Sequence, residues 1–135
     1  MKSFVLFNNK GGVGKTTLTF NIAHMMAREG WRVVALDYDP QCNLSALFLE
    51  DEELMECWQA TGNEGATVAA CLDPVRRGKG DVLAPKLIEV EGAPGLWLLP
   101  GHLSLSRFEQ TLAEEWPKTM SSNNERALDV TTALA

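Results

Sequence analysis

At 135 residues the chain holds one domain and not two, and 45% apolar residues are enough for a packed core. No apolar run approaches the roughly 18 residues of a membrane span, and Met1-Lys2-Ser3 enters an apolar stretch without the form of a signal peptide. A net charge of −6 disfavours broad nucleic-acid binding by this segment, and three cysteines without paired spacing point to reduced thiols in the cytoplasm.

Residues 3–7 read as a first strand, with Phe4-Val5-Leu6-Phe7 apolar on both faces, as a central parallel strand is. Lys10-Gly11-Gly12-Val13-Gly14-Lys15-Thr16-Thr17 follows and leads into a helical pattern. Strand, glycine-rich turn and helix N-terminus together are the context of a phosphate-binding loop. Gly11, Gly12 and Gly14 permit backbone angles that turn successive N–H groups toward one anion. The expected nucleotide-binding set is Gly11, Gly12, Val13, Gly14, Lys15, Thr16 and Thr17. Lys15 can reach the β- and γ-phosphates, and the Thr16 hydroxyl is placed to ligate Mg²⁺. The first glycine of the general Walker pattern falls at position 9, where this chain has Asn9, a residue that tolerates left-handed angles. The following helix is expected over 14–29, with Leu18, Ile22, Met25 and Met26 as its buried stripe and Gly30 at its end.

A second strand is expected over 32–36, and Asp37-Tyr38-Asp39-Pro40-Gln41-Cys42-Asn43 follows it. Ligands of open α/β sheets bind at the carboxyl ends of strands, so both carboxylates reach the same edge as the glycine-rich loop. Capping of a helix is the alternative use of Asp37 or Asp39. Lys10 sits inside the loop, where an ordinary Walker loop has no fixed charge. This spacing resembles the deviant Walker A motif of the ParA/MinD family of ATPases. The acidic segment resembles that family's switch I, D-x-D-P-Q-G-N, with Cys42 where glycine is usual. The resemblance implies an ATP- and ADP-binding, Mg²⁺-dependent ATPase whose nucleotide state switches dimerisation and which partitions DNA or positions cargo. It implies catalytic roles for Lys10, Lys15 and Asp39. Lys10 would reach across an ATP-sandwich homodimer, Asp39 would orient the attacking water, and Asp37 would touch the Mg²⁺ shell through water. It further implies a ParB-like partner protein, with any DNA contact made by a region beyond this chain.

Asn43 is expected to cap a short helix through Leu44, Leu47 and Phe48, and residues 51–60 read as weakly helical. Residues 61–65 form a loop. Thr67 can cap a helix through Leu72, closed by Asp73-Pro74. Residues 76–85 read as a loop carrying the basic cluster Arg76, Arg77 and Lys79, a solvated surface or a DNA contact. Short strands are expected over 85–90 and 96–99. Ser106-x-x-Glu109 has the form of a capping box, opening a helix with Leu105, Phe108, Leu112 and Trp116 on one face and Pro117 at its end. Ser122-x-x-Glu125 is a second box, opening a last helix. The stretch 96–105 again resembles ParA-type proteins, in which a strand delivers a loop to the nucleotide edge. His24 and His102 are isolated and read as packing or surface residues.

No Walker B strand, an apolar run ending in aspartate, is visible. Ala127-Leu128-Asp129-Val130 lies in a helix-like context, and Asp81 has no strand before it. The chain is therefore expected to be the N-terminal part, 1–135, of a single ParA-like nucleotide-binding domain. The expected fold is α/β and P-loop NTPase-like, a parallel sheet with flanking helices, incomplete in this chain. Two other functions stay open. One is a nucleotide-gated binding module that does not hydrolyse ATP. The other is a metabolic or metal-handling relative using the same loop.

Overall fold

Gly14 and Gly30 bracket the first helix. In the computed structural model, which describes residues 2–8, 10–59 and 65–117, α1 spans Lys15–Arg28. Gly30, at φ 85°, donates its N–H to the Ala27 carbonyl at 2.9 Å, and Trp31 follows with the Met26 carbonyl at 3.1 Å. These bonds close the last turn as a left-handed glycine cap does. The buried face of α1 is not the expected one. Ala23 and Ala27 are buried, whereas Leu18, Ile22 and Met25 remain exposed. At 100° per residue these two sets lie on nearly opposite sides of the helix. The alanines, having small side chains, let α1 lie close on the sheet, while Phe20 and His24 pack on each other at a ring separation of 4.5 Å and on Phe48 at 4.8 and 5.5 Å.

β1, Val33–Leu36, runs parallel to β3, Leu96–Leu99, in register from Val33 opposite Leu96 to Leu36 opposite Leu99. β2, Ile88–Glu89, forms an antiparallel hairpin with β3, and the sheet order is β1-β3-β2. The central strand is the most apolar one, as burial on both faces requires. Leu96 and Leu98 face one core with Ala23, Ala27, Ala35 and Leu54. Leu99 faces the other, with Val68, Leu72, Leu105 and Phe108. Helices on both faces of a small, partly parallel sheet make an α/β fold.

Residues 3–7 are not a strand. Phe4, Val5 and Phe7 are 73%, 88% and 83% exposed. A strand apolar on both faces is stable only with neighbours on its edges and layers on its faces, and among the described residues none pairs with it. The strand expected over 85–90 shrinks to two residues. Its first part is tied elsewhere, with Leu83 N–H on the Cys71 carbonyl at 3.0 Å and Lys86 N–H on the Gly65 carbonyl at 2.9 Å.

The remaining helices are α2 (Ser45–Phe48), α3 (Asp51–Gln59), α4 (Val68–Arg76) and α5 (Leu105–Glu115). Thr67 caps α4 as expected, its hydroxyl accepting from Ala70 N–H at 3.2 Å. α4 then runs through Pro74 instead of stopping at it. Asp73 ties the turn beyond the proline, its carboxylate pairing with Arg76 and Arg77 at 2.7 Å each. The Ser106 capping box does not form. α5 begins two residues earlier, with Ser104 at the N-cap position, and the Ser106 hydroxyl donates to the Leu103 carbonyl at 2.9 Å. The expected apolar face holds at Leu105 and Phe108, while Trp116 is exposed. Residues 61–64, the last helix and Ala127-Leu128-Asp129-Val130 lie outside the described residues.

Burial pushes the Asp73 carboxyl up, but the hydrogen bonds and charges of Arg76 and Arg77 outweigh it and hold it below the usual carboxylate range. A carboxyl depressed in the folded chain adds stability above its unfolded pKa, near about 4, and loses it as pH falls through the folded value. Asp73→Asn should lower the Tm at about pH 7 and leave it unchanged at about pH 2. Thermal unfolding at the two pH values checks this, and a deficit that persists in acid would assign the effect to packing.

Candidate functional site

The glycine-rich turn opens α1 without a side-chain cap. Gly14 occupies the cap position at φ 85° and ψ 15°, and the first turn of α1 holds no acidic residue. Gly12 is also left-handed, at φ 71°, and a Cβ at Gly11, Gly12 or Gly14 would meet nothing within 4 Å. Backbone angle, not crowding, is therefore what requires glycine at positions 12 and 14. Leu18 N–H is bonded to the Gly14 carbonyl at 2.8 Å, so the N–H groups before it are left without helical acceptors. Lys10 is exposed, and its own N–H is fixed on the Asn8 side chain at 2.8 Å. Lys15 and Thr16 are half-buried, and Val13 and Thr17 are exposed. Among the described residues neither lysine has an ion-pair partner. The Thr17 carbonyl accepts from the Asn21 side chain at 2.7 Å, and Asn9 lies outside the described residues. Open helix N–H groups, two cations and no carboxylate make this turn electropositive.

The acidic turn is built around Asp37, which is 2% exposed. Its Oδ1 accepts from Asp39 N–H at 3.2 Å. Its Oδ2 accepts from Ser45 N–H at 2.8 Å and from the Ser45 hydroxyl at 2.7 Å. The Ser45 oxygen in turn accepts Gly101 N–H at 2.9 Å. Asp37, and not Asn43, thus supplies the cap of α2, with Asn43 exposed and bonded only to Gln41 at 3.3 Å. Asp39 is exposed, and its Oδ1 accepts Gln41 N–H at 2.9 Å. Cys42 takes the left-handed angle its place demands, φ 56°, and is 2% exposed. Burial first, then the charges of Asp37 and Asp39, push its thiol up to about 11, so it is protonated and unreactive near neutral pH.

α1 runs away from its turn and β1 returns, so the start of α1 and the end of β1 lie at one edge of the sheet. β3, parallel to β1, brings Leu99, Pro100 and Gly101 to the same edge. Among the described residues no hydrogen bond or ion pair joins 10–17 to 37–43. Ser45 and Gly101 are parts of the site that the motifs do not announce. The available signal for Gly101 is a glycine at the carboxyl end of the most apolar strand. A Cβ there would lie 3.0 Å from the Asp37 carbonyl oxygen, 3.2 Å from its carboxyl carbon and 3.2 Å from the Cys42 sulfur. No group of three or more histidine, cysteine or acidic residues converges among the described residues, and none of their helices is long and apolar enough to cross a membrane.

Comparison with known proteins gives the family and agrees with the fold. The family model of the CobQ/CobB/MinD/ParA nucleotide binding domain matches residues 4–132. A putative replication protein A from Rhizobium rhizogenes is 33% identical over 120 residues, 89% of this chain and 26% of the relative. The chromosome-partitioning ATPase Soj of Thermus thermophilus is 48% identical over 46 residues, 34% of this chain and 18% of the relative. A solved protein from Corynebacterium diphtheriae superposes with a TM-score of 0.80 at 33% identity, over 95% of this chain and 43% of that one. The pNOB8 ParA bound to nonspecific DNA superposes with a TM-score of 0.57 at 29% identity, over 78% of this chain and 35% of that one. The chain thus spans about a quarter of the length of the first relative and less than half of either solved chain.

Ser45→Ala removes the hydroxyl shared by Asp37 and Gly101, leaving a buried N–H and a carboxylate lone pair unmatched. It should lower the unfolding free energy by about 2–3 kcal/mol. Asn43→Ala, at the exposed position, should cost about 0.5 kcal/mol or less. Urea denaturation of both variants is the measurement, and equal costs would remove Asp37 and Ser45 from the role of cap.

Proposed function

The chain belongs to the CobQ/CobB/MinD/ParA nucleotide-binding domain family, and on that premise we propose that it is the N-terminal part, 1–135, of a ParA-type nucleotide-binding domain that binds and hydrolyses ATP. The observation that carries this reading is the uncapped start of α1, with left-handed Gly12 and Gly14, two lysines without ion-pair partners and no acid in its first turn. A polyphosphate fits it. The N–H groups from Gly11 to Thr17 face the phosphates, and Lys15 adds charge at the β- and γ-positions. Thr16, half-buried with a hydroxyl that no described side chain engages, is the residue to hold Mg²⁺. Asp37 acts there through water, since its oxygens already accept three hydrogen bonds. Bound Mg²⁺ would supply neutralisation of phosphate charge.

Hydrolysis in this reading is assigned to Asp39, whose exposed carboxylate can orient a water for in-line attack, and to the cations that receive the developing charge. Lys10 is exposed in the loop and suited to the phosphates of a second copy, which makes ATP the bridge of a homodimer. Partition of DNA or placement of cargo, a ParB-like partner and DNA contact through the rest of the protein are the functions we assign to the whole molecule. Residence in the cytoplasm is part of the same proposal. One observation favours a second reading, a nucleotide-gated binding module with little turnover. Asp37 is committed to the fold by Ser45, leaving Asp39 as the acidic-turn carboxylate with open capacity.

Lys15→Ala should weaken ATP binding by about 2–4 kcal/mol, as loss of a charge-assisted phosphate contact does. Calorimetry tests it, and unchanged affinity would remove the loop as a nucleotide site. Asp39→Ala should leave that affinity nearly intact and slow turnover about 10²-fold or more in the full protein. Lys10→Ala should reduce dimerisation with a non-hydrolysable ATP analogue more than it reduces nucleotide binding by the single chain. Sedimentation separates these effects, and equal dimerisation of variant and wild type would return Lys10 to the solvated surface.

A further inference from the structure

A second concave site lies between α4 and α5, and no residue of 8–17 or 37–45 lines it. Its volume is about 310 Å³, at the lower end of the roughly 300–1,000 Å³ of small-molecule sites. Trp58, Leu72 and Phe108 are among its apolar lining residues. Arg76 and Arg77 at the end of α4 and Arg107 in the first turn of α5 also line it, with Asp73 as the acidic lining residue among those described. On a chain of net charge −6 this gathers positive charge in a recess, where low-dielectric walls strengthen its field.

The groups in this cleft are held in place. Asp73 pairs with Arg76 and Arg77 at 2.7 Å each, which holds both guanidinium groups at the end of α4. Arg107 has no ion-pair partner among the described residues. Ser104 N–H donates to His102 Nδ1 at 3.0 Å, which leaves the ring proton on Nε2. Burial, and then the charge of Arg107, push the His102 pKa down, so the ring stays a neutral donor near neutral pH. The Trp58 indole N–H donates to the Gly101 carbonyl at 3.1 Å, and its ring meets His102 edge-on at 5.9 Å. The Trp58 ring is therefore held by a hydrogen bond and a ring contact.

We propose that this cleft binds a small organic phosphate, a phosphate monoester carried on a planar ring, with Arg107 and Arg77 on the phosphate and Trp58 against the ring. Guanidinium groups match phosphate oxygens with paired N–H donors, which an ammonium does not. The aromatic wall gives the ring a surface of its own. The site also touches the acidic turn through one residue. The Gly101 carbonyl holds Trp58 while its N–H holds Ser45, the residue that fixes Asp37.

Phenyl phosphate and inorganic phosphate are the probes, followed through the Trp58 indole N–H resonance so that only the cleft is read. Phenyl phosphate should shift that resonance saturably, and inorganic phosphate should bind about tenfold more weakly or worse. Arg107→Gln and Arg77→Gln, both at exposed positions, should each weaken phenyl phosphate by about tenfold. Lys15→Ala should leave the titration unchanged. Absence of a saturable shift, equal affinity for the two probes, indifference to both arginine substitutions, or loss of binding in Lys15→Ala would each overturn the proposal.

Discussion

The Asp37 carboxylate is the point on which the edge of this sheet depends. Three segments meet there that are far apart in sequence: the end of β1, the start of α2 and the turn after β3. Asp37 reaches the second through Ser45 N–H and hydroxyl, and the third through Ser45 and Gly101 N–H. A buried carboxylate is costly unless each oxygen is matched, and here each one is. The matching also disfavours a side chain at position 101, where a Cβ would press on both Asp37 and Cys42. One side chain thus organises a glycine, a serine and a left-handed cysteine. The cysteine costs about 1 kcal/mol of backbone strain that glycine would not. Its side chain offsets part of this by filling the space beneath the turn, buried as fully as Asp37 itself.

The two helices nearest the sheet edge begin in opposite ways. α2 borrows a carboxylate from the strand before it, and its first donors are satisfied internally. α1 begins on a glycine, with no side chain to offer and no acid in its first turn. A helix start capped by glycine gives up about 0.3 kcal/mol of capping stability relative to a serine or aspartate cap. The fold keeps that N-terminus open, and the cations around it add mutual repulsion to the cost. In the proposed nucleotide site an anion at this N-terminus would offset both costs, since the N–H groups and Lys15 would then face negative charge. The acidic turn at the same edge is closed on itself at Asp37 and open at Asp39. The two carboxylates of one short motif therefore differ in how far they can take part in chemistry.

Local chemistry was legible in the sequence where a short stretch carries its own cause. The glycine turn, the limits of α1, the Thr67 cap and the strand at 96–99 all follow from residues within a few positions of each other. What was not legible depended on distant partners. The apolar segment 3–7 has the composition of a strand, yet a strand needs a ladder, and among the described residues nothing pairs with it. The methionine and leucine side of α1 reads as a core stripe because it is apolar. The alanine side is the one that packs, since only small residues let the helix approach β1 closely. Pro74 reads as a stop, but Asp73 secures the turn around it with two arginines. Asn43 and Ser106 read as caps because of their residue type. Asp37 accepts the first N–H of α2 instead, and the backbone carbonyls of His102, Leu103 and Ser104 accept the first N–H groups of α5.

β3 explains why the molecule presents two distinct chemical regions. Its alternation sends Leu96 and Leu98 toward α1 and Leu99 toward α4 and α5, so each face of one strand supports its own core. The glycine turn belongs to the α1 side and the arginine-lined cleft to the α4–α5 side. Beyond Leu99 the strand ends in Pro100 and Gly101, where alternation no longer separates the faces. Pro100 accepts Val68 N–H at 2.8 Å on the α4 side, and Gly101 donates to Ser45 on the other. The backbone of these two residues is hydrogen-bonded in both directions, and a displacement at either is resisted by partners on each face. A change in the position of Trp58 would therefore be felt first at the Gly101 carbonyl and next at Ser45 and Asp37, through hydrogen bonds of 3.1, 2.9 and 2.7 Å. Packed cores transmit such shifts poorly by bending and better by exchanging one bonded arrangement for another. The short polar chain from Trp58 to Asp37 is the element in this fold with that capacity.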